Sequence, residues 1–93
     1  MRNSKVNGEM LADLFGVISS IKDEKECEAL LRDMCTDKEI EKMAQRIAAA
    51  RLLLEGKTYN QVIEETDISS ATLSRVSRCV QYGKGYKKLL AKK

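Results

Sequence analysis

A chain of 93 residues with 43% hydrophobic side chains holds one core and has no room for a second. One Phe, three Tyr, no Trp, no Pro and five Gly leave Leu, Ile, Val, Ala and Met to build it, a composition that selects packed helices over strands. The net charge of +3 is polarised: residues 1–56 carry nine basic and eleven acidic side chains, residues 57–93 eight basic and three acidic, with no acid after Asp67, so a polyanionic partner is expected for the C-terminal part.

In chain order, Met10, Leu11, Leu14, Phe15, Val17, Ile18 and Ile21 recur at helical spacing and predict a first helix over residues 5–21, after a disordered start at 1–4. Its apolar stripe is wider than one short partner helix could cover. Asp23 caps a second helix with Cys27, Leu30, Leu31 and Met34 on one face. Thr36 and Glu39 form a capping box that opens a third helix, running to about Glu55. That helix is apolar on nearly all sides (Ile40, Met43, Ala44, Ile47 and Ala48, then Ala49 to Leu54), as befits a central strut, and Gly56 ends it in a left-handed cap. Thr58 and Gln61 make a second capping box for a fourth helix with Val62 and Ile63 inward. Residues 66–69 break it, and Ser69 or Ser70 caps a fifth helix reaching about Val80 on a core face of Leu73, Val76 and Val80. Gly83 and Gly85 turn the chain into a short last helix from Tyr86 to about Ala91. The expected fold is all-α, a single domain with core helices over 1–56, a helical hairpin over 58–80 and a C-terminal helix over 83–93.

Two short helices separated by three or four residues have the outline of a helix-turn-helix, in which the first helix braces the second across the DNA backbone. The first turn of the fifth helix is built from Ser69, Ser70, Ala71 and Thr72, followed by Ser74, Arg75 and Arg78. Side chains this small let a helix end enter a major groove about 12 Å wide, and their hydroxyls and methyls suit base edges and phosphates. The positive N-terminus of the helix also favours phosphate. A solvated hairpin with capping serines would explain Ser69 alone, but not the whole block with its acid-free flank.

From Met34 to Val80 the sequence resembles the Trp repressor superfamily, and most closely its short YerC/YecD-type branch. The matching text is Met-Cys-Thr-Asp-Lys-Glu at 34–39, Gln-Arg-Ile at 45–47, Leu-Leu-Glu-Gly at 53–56 and Ala-Thr-Leu-Ser-Arg at 71–75. The resemblance implies an intertwined homodimer of six helices per chain, with the first three and the last building a shared core and the fourth and fifth forming a reading head. A second protomer then covers the surplus stripe of the first helix, and two-fold symmetry sets the two fifth helices about 34 Å apart on a palindrome. By position it places Gln61, Ser70, Ala71, Thr72 and Ser74 at the DNA. Glu64 replaces a basic residue of the family, and the turn is one residue shorter than in the repressor itself.

The same resemblance points to an effector pocket at Arg46, Arg75, Val76 and Cys79, where the family's repressor clamps an indole between two arginines. Tryptophan is disfavoured. Val76 stands where a glycine leaves space for the ligand, and Cys79 where a serine hydroxyl holds the amino group. No cofactor is expected, and any other effector is undefined by the sequence.

Three cysteines without a C-x-x-C and the absence of histidine argue against a zinc site or a disulfide framework, and Cys27, Cys35 and Cys79 are expected as reduced small hydrophobes. With no histidine and no nucleophile–base pair, an enzyme is not expected. The expected function is a sequence-specific transcriptional regulator, by its resemblance a repressor, that reads the major groove of double-stranded DNA as a homodimer in the cytoplasm. The competing reading is a helical dimeric protein–protein adaptor whose basic end docks an acidic partner. The longest apolar run, residues 47–54, is broken by Arg51, so no membrane span is expected, and residues 86–93 are too short an amphipathic face for a membrane surface.

Overall fold

The computed structural model describes residues 7–91, and within them six α-helices and no strand occur. The predicted disorder at 1–4 lies outside the described residues. Helix α1 spans Gly8–Ser19, α2 Glu24–Met34, α3 Asp37–Leu54, α4 Tyr59–Thr66, α5 Ser70–Tyr82 and α6 Gly85–Leu90. By contacts the chain divides after Thr36 into a unit holding α1 and α2 and a unit holding α3 to α6.

In the first unit, local hydrogen bonds set the ends of the helices. The Asn7 side chain accepts from the Met10 N–H at 2.9 Å, so α1 starts at Gly8 rather than at residue 5. It stops at Ser19, short of Ile21, where the Ser19 hydroxyl donates to the Phe15 carbonyl and the Ser20 hydroxyl to the Val17 carbonyl. Asp23 caps α2 by accepting from the Glu26 N–H at 2.8 Å, and the Glu26 carboxylate accepts in return from the Lys22 N–H at 2.9 Å. No residue of α1 or α2 is buried, and Phe15 is 63% exposed with Met10, Leu11, Val17 and Ile18 also open to solvent.

The core lies in the second unit. It consists of Ala49 and Ala50 of α3, Val62 of α4, Ile68 of the connecting turn, and Leu73, Val76 and Val80 of α5. Two alanines in succession let neighbouring helices approach the strut closely, and Leu73 and Val62 are wholly enclosed there. Around this centre Leu52, Leu53, Leu54, Ile63, Tyr86 and Leu90 are partly buried. Ile47, by contrast, is exposed. Helix α3 ends as its sequence predicts: Gly56 has φ +92°, its N–H donates to Leu53, and the Lys57 N–H donates to Leu52. Helix α5 runs past Val80 to Tyr82 because its stop is Gly83, whose N–H still reaches the Cys79 carbonyl at 2.8 Å. A Cβ at residue 83 would sit 2.7 Å from that carbonyl oxygen, so the close approach there requires glycine. Among the described residues no helix is long and apolar enough to cross a membrane.

Candidate nucleic-acid interface

Helices α4 and α5 are separated by residues 67–69 and pack against each other and against α3. The entry to α4 is a reciprocal cap. The Gln61 N–H donates to the Thr58 hydroxyl at 3.2 Å, and the Gln61 amide oxygen accepts from the Thr58 N–H at 2.8 Å. Gln61 is therefore exposed but held, its oxygen occupied and its amide N–H₂ left to donate outward.

The turn is fixed at three points. Asp67 adopts a left-handed conformation, φ 62° and ψ 20°, and its N–H donates to Ile63 at 2.8 Å, ending α4. Ile68, 3% exposed, inserts into the core as the turn's apolar anchor. The Thr66 hydroxyl donates to Val62 and accepts from the Ile68 N–H, while the Thr66 carbonyl accepts from the Gln45 side chain of α3 at 3.1 Å. Gln45 thus ties the turn to the strut, a role with no signature in the sequence because its partner is a backbone atom twenty-one residues away.

Ser69 is the N-cap of α5. Its hydroxyl oxygen accepts from the Thr72 N–H at 3.2 Å and lies 3.0 Å from the Thr72 hydroxyl, to which it donates. That arrangement leaves the Thr72 O–H proton and methyl group at the helix tip. Ser70, Ala71, Ser74, Arg75 and Arg78 are exposed, and Thr72 is half-buried. Positions 71, 74, 75 and 78 share one face of the helix, and Leu73, Val76 and Val80 hold the opposite one. Tyr82 continues the outward face, a residue left unassigned by a helix predicted to stop near Val80. The structure therefore gathers seven of the eight sequence-predicted DNA residues on α5 and its cap, with Gln61 on the first turn of α4.

The four effector positions are placed differently from one another. Arg46 and Arg75 are exposed, on α3 and α5 respectively, while Val76 is 2% exposed and part of the core. Cys79 is half-buried and lines an apolar cleft of about 450 Å³ together with Ile47, Tyr86, Leu89 and Leu90, a cleft that includes none of the other three.

Comparison with known proteins agrees with this architecture. The family model described as Trp repressor protein matches residues 9–93. An uncharacterized Bacillus subtilis protein, YerC, is 47% identical over 83 residues, covering 89% of this chain and 80% of its own. Among solved structures, a candidate Trp repressor from Staphylococcus aureus superposes with a TM-score of 0.86 at 35% identity, covering 98% of this chain and 92% of its own. A TrpR-like protein from Eubacterium eligens gives a TM-score of 0.85 at 38% identity over 94% of this chain and 91% of its own. With a match along nearly its whole length, a six-helix fold and a curated relative at this identity, the chain belongs to the Trp repressor family, in its YerC-type branch.

Proposed function

We propose that this chain is a sequence-specific transcriptional regulator that reads the major groove of double-stranded DNA as a homodimer, working in the cytoplasm. The observation that carries this reading is the two-sided construction of α5. Its inner face is locked by Leu73, Val76 and Val80, and its outer face offers small hydroxyl residues at the tip followed by Arg75 and Arg78. Hydroxyls and a helix N-terminus suit phosphate, and small tip residues admit close approach to base edges. Family membership supports the same conclusion. In the dimer, α1 to α3 and α6 build the shared core, and the uncovered stripe of α1 around Phe15 is the surface a second copy covers.

Burial of Val76 supports a reading head that is held without tryptophan. Space that a corepressor would occupy beside α5 is already taken by a side chain of the protein's own core, and Cys79 is a poor partner for an amino group. Repression is the sign of regulation the family favours.

Selection of bound duplexes from a random pool, followed by fluorescence anisotropy, tests the proposal. The selected sequence is expected to bind about a thousandfold or more tighter than random duplex. Replacing Thr72 and Arg75 by alanine should cost about 1–3 kcal/mol per removed contact and relax that preference. Unchanged affinity for every duplex in the double variant would sink the assignment of α5, and would favour the adaptor reading, in which the basic end binds an acidic protein.

A further inference from the structure

We propose that Glu64 is a repulsive contact: it faces a phosphate of bound DNA, weakens every complex, and so limits retention on duplex that lacks the target sequence. The inference rests on the DNA-binding reading above and gives α4 a part in it. In a helix-turn-helix the first helix crosses the sugar–phosphate backbone, so its outermost residues are the ones nearest phosphate. On α4, Val62 is buried and Ile63 and Thr66 are half-buried, which sets the inward side. Successive residues turn by about 100°, so Gln61 and Glu64 form the ridge opposite that side. Both are exposed. Glu65 is turned away from the ridge and lines a cleft against α3 together with Lys38 and Lys42.

Nothing in the fold accounts for a carboxylate at residue 64. It makes no hydrogen bond and no ion pair among the described residues. It lies in the last turn of α4, where the carbonyl end of the helix disfavours negative charge and no basic residue stands beside it. Glu65 shares that turn, but two lysine ammoniums line its cleft. A residue that breaks a local rule without a structural gain points to function. Beside a phosphate the Glu64 carboxylate is repelled, and residues 59–66 hold no Lys or Arg to counter it. Attraction falls instead to Arg75 and Arg78 of α5. Binding to random duplex is almost wholly a phosphate effect, whereas a target adds base contacts. Weakening both by one factor leaves the target occupied at concentrations where random duplex is not.

The test is fluorescence anisotropy at about 50 and 200 mM salt, with a labelled random-sequence duplex and with the duplex recovered by selection. The full-length protein is compared with Glu64→Gln, Glu64→Lys, Glu65→Gln and the tip variants Thr72→Ala and Arg75→Ala. Glu64→Gln is expected to tighten both duplexes roughly threefold to thirtyfold at the lower salt, two exposed charges being removed per dimer, and less at the higher. Glu64→Lys should tighten both further and steepen the salt dependence by about one per protomer. Glu65→Gln should change either by less than about twofold. Equal gains from Glu64→Gln and Glu65→Gln would reduce the effect to net charge and overturn the contact. Weaker binding by Glu64→Gln would reveal an attractive carboxylate and overturn it as well. The melting temperature of Glu64→Gln is expected to hold or rise, and a fall would make Glu64 a structural residue, against the proposal. If Glu64→Gln binds like the parent while the tip variants lose affinity, Glu64 stands clear of DNA and the proposal is wrong although α5 still reads it. If the tip variants are unaffected too, the DNA reading falls with it.

Discussion

Asp67 and Val76 show how single residues hold α4 and α5 in position. Asp67 occupies the left-handed region, which asparagine, aspartate and glycine tolerate and β-branched residues do not. Asp67→Val is therefore expected to lose about 1–2 kcal/mol, whereas Asp67→Gly should remain within about 0.5 kcal/mol of the parent. Thermal unfolding at fixed protein concentration measures both, and equal melting temperatures for the two variants would contradict the strain argument. Val76 acts by volume. Val76→Ala should cost about 2 kcal/mol in denaturant unfolding, because its methyl groups lie in the wholly enclosed centre with Leu73. Added tryptophan is expected to leave that value unchanged, and stabilisation by tryptophan would show that a ligand site survives beside it.

At the scale of elements, the caps decide where helices begin, and they were the most readable part of the sequence. Thr58 with Gln61, Asp23, Gly56 and Ser69 each act through neighbours within a few residues, so their residue types alone announce them. The ends set by less local causes were not readable in this way. Helix α5 extends to Tyr82 and ends at Gly83, where a Cβ would meet the Cys79 carbonyl, a close approach that exists only once the helix is built. Ser69 allows structure and recognition to be separated. Ser69→Ala should cost about 1 kcal/mol of stability by freeing the Thr72 N–H, whereas Ser69→Asp keeps the cap. The aspartate also sets a carboxylate toward the phosphates, so its DNA affinity is expected to drop at least tenfold at low salt while its melting temperature holds. A Ser69→Asp protein that binds DNA normally would remove the α5 tip from the interface.

On the scale of the whole molecule, the apolar pattern of the sequence told which helices carry hydrophobic surface but not which faces would meet within one chain. Helix α3 is apolar nearly all round, and periodicity cannot choose between Ala49 and Ala50, which are enclosed, and Ile47, which is not. Side-chain size alone does not decide it either, since Ala44 and Ala48 of the same helix are exposed; the choice is made by which part of α3 the helices α4 and α5 pack against. The residues proposed to face DNA stand out in the sequence because their chemistry is clustered along one helix. The four effector positions came from resemblance, and they are scattered between solvent, core and cleft. Phe15 tests the pairing of copies. Phe15→Glu should raise the dimer dissociation constant at least a hundredfold, since burying a phenylalanine is worth about 1.5–3 kcal/mol and two copies lose it. Analytical ultracentrifugation reads the change directly, and an intact dimer at low concentration would move the interface elsewhere.

The separation of duties around α5 has an evolutionary consequence. Because Leu73, Val76 and Val80 hold the inner face of the helix and Ala71, Ser74 and Arg78 lie exposed on the outer one, those three are free to drift without endangering the core. Paralogues could thus acquire new target sites by altering outward letters on a constant scaffold, and an engineer could retarget the protein by the same route.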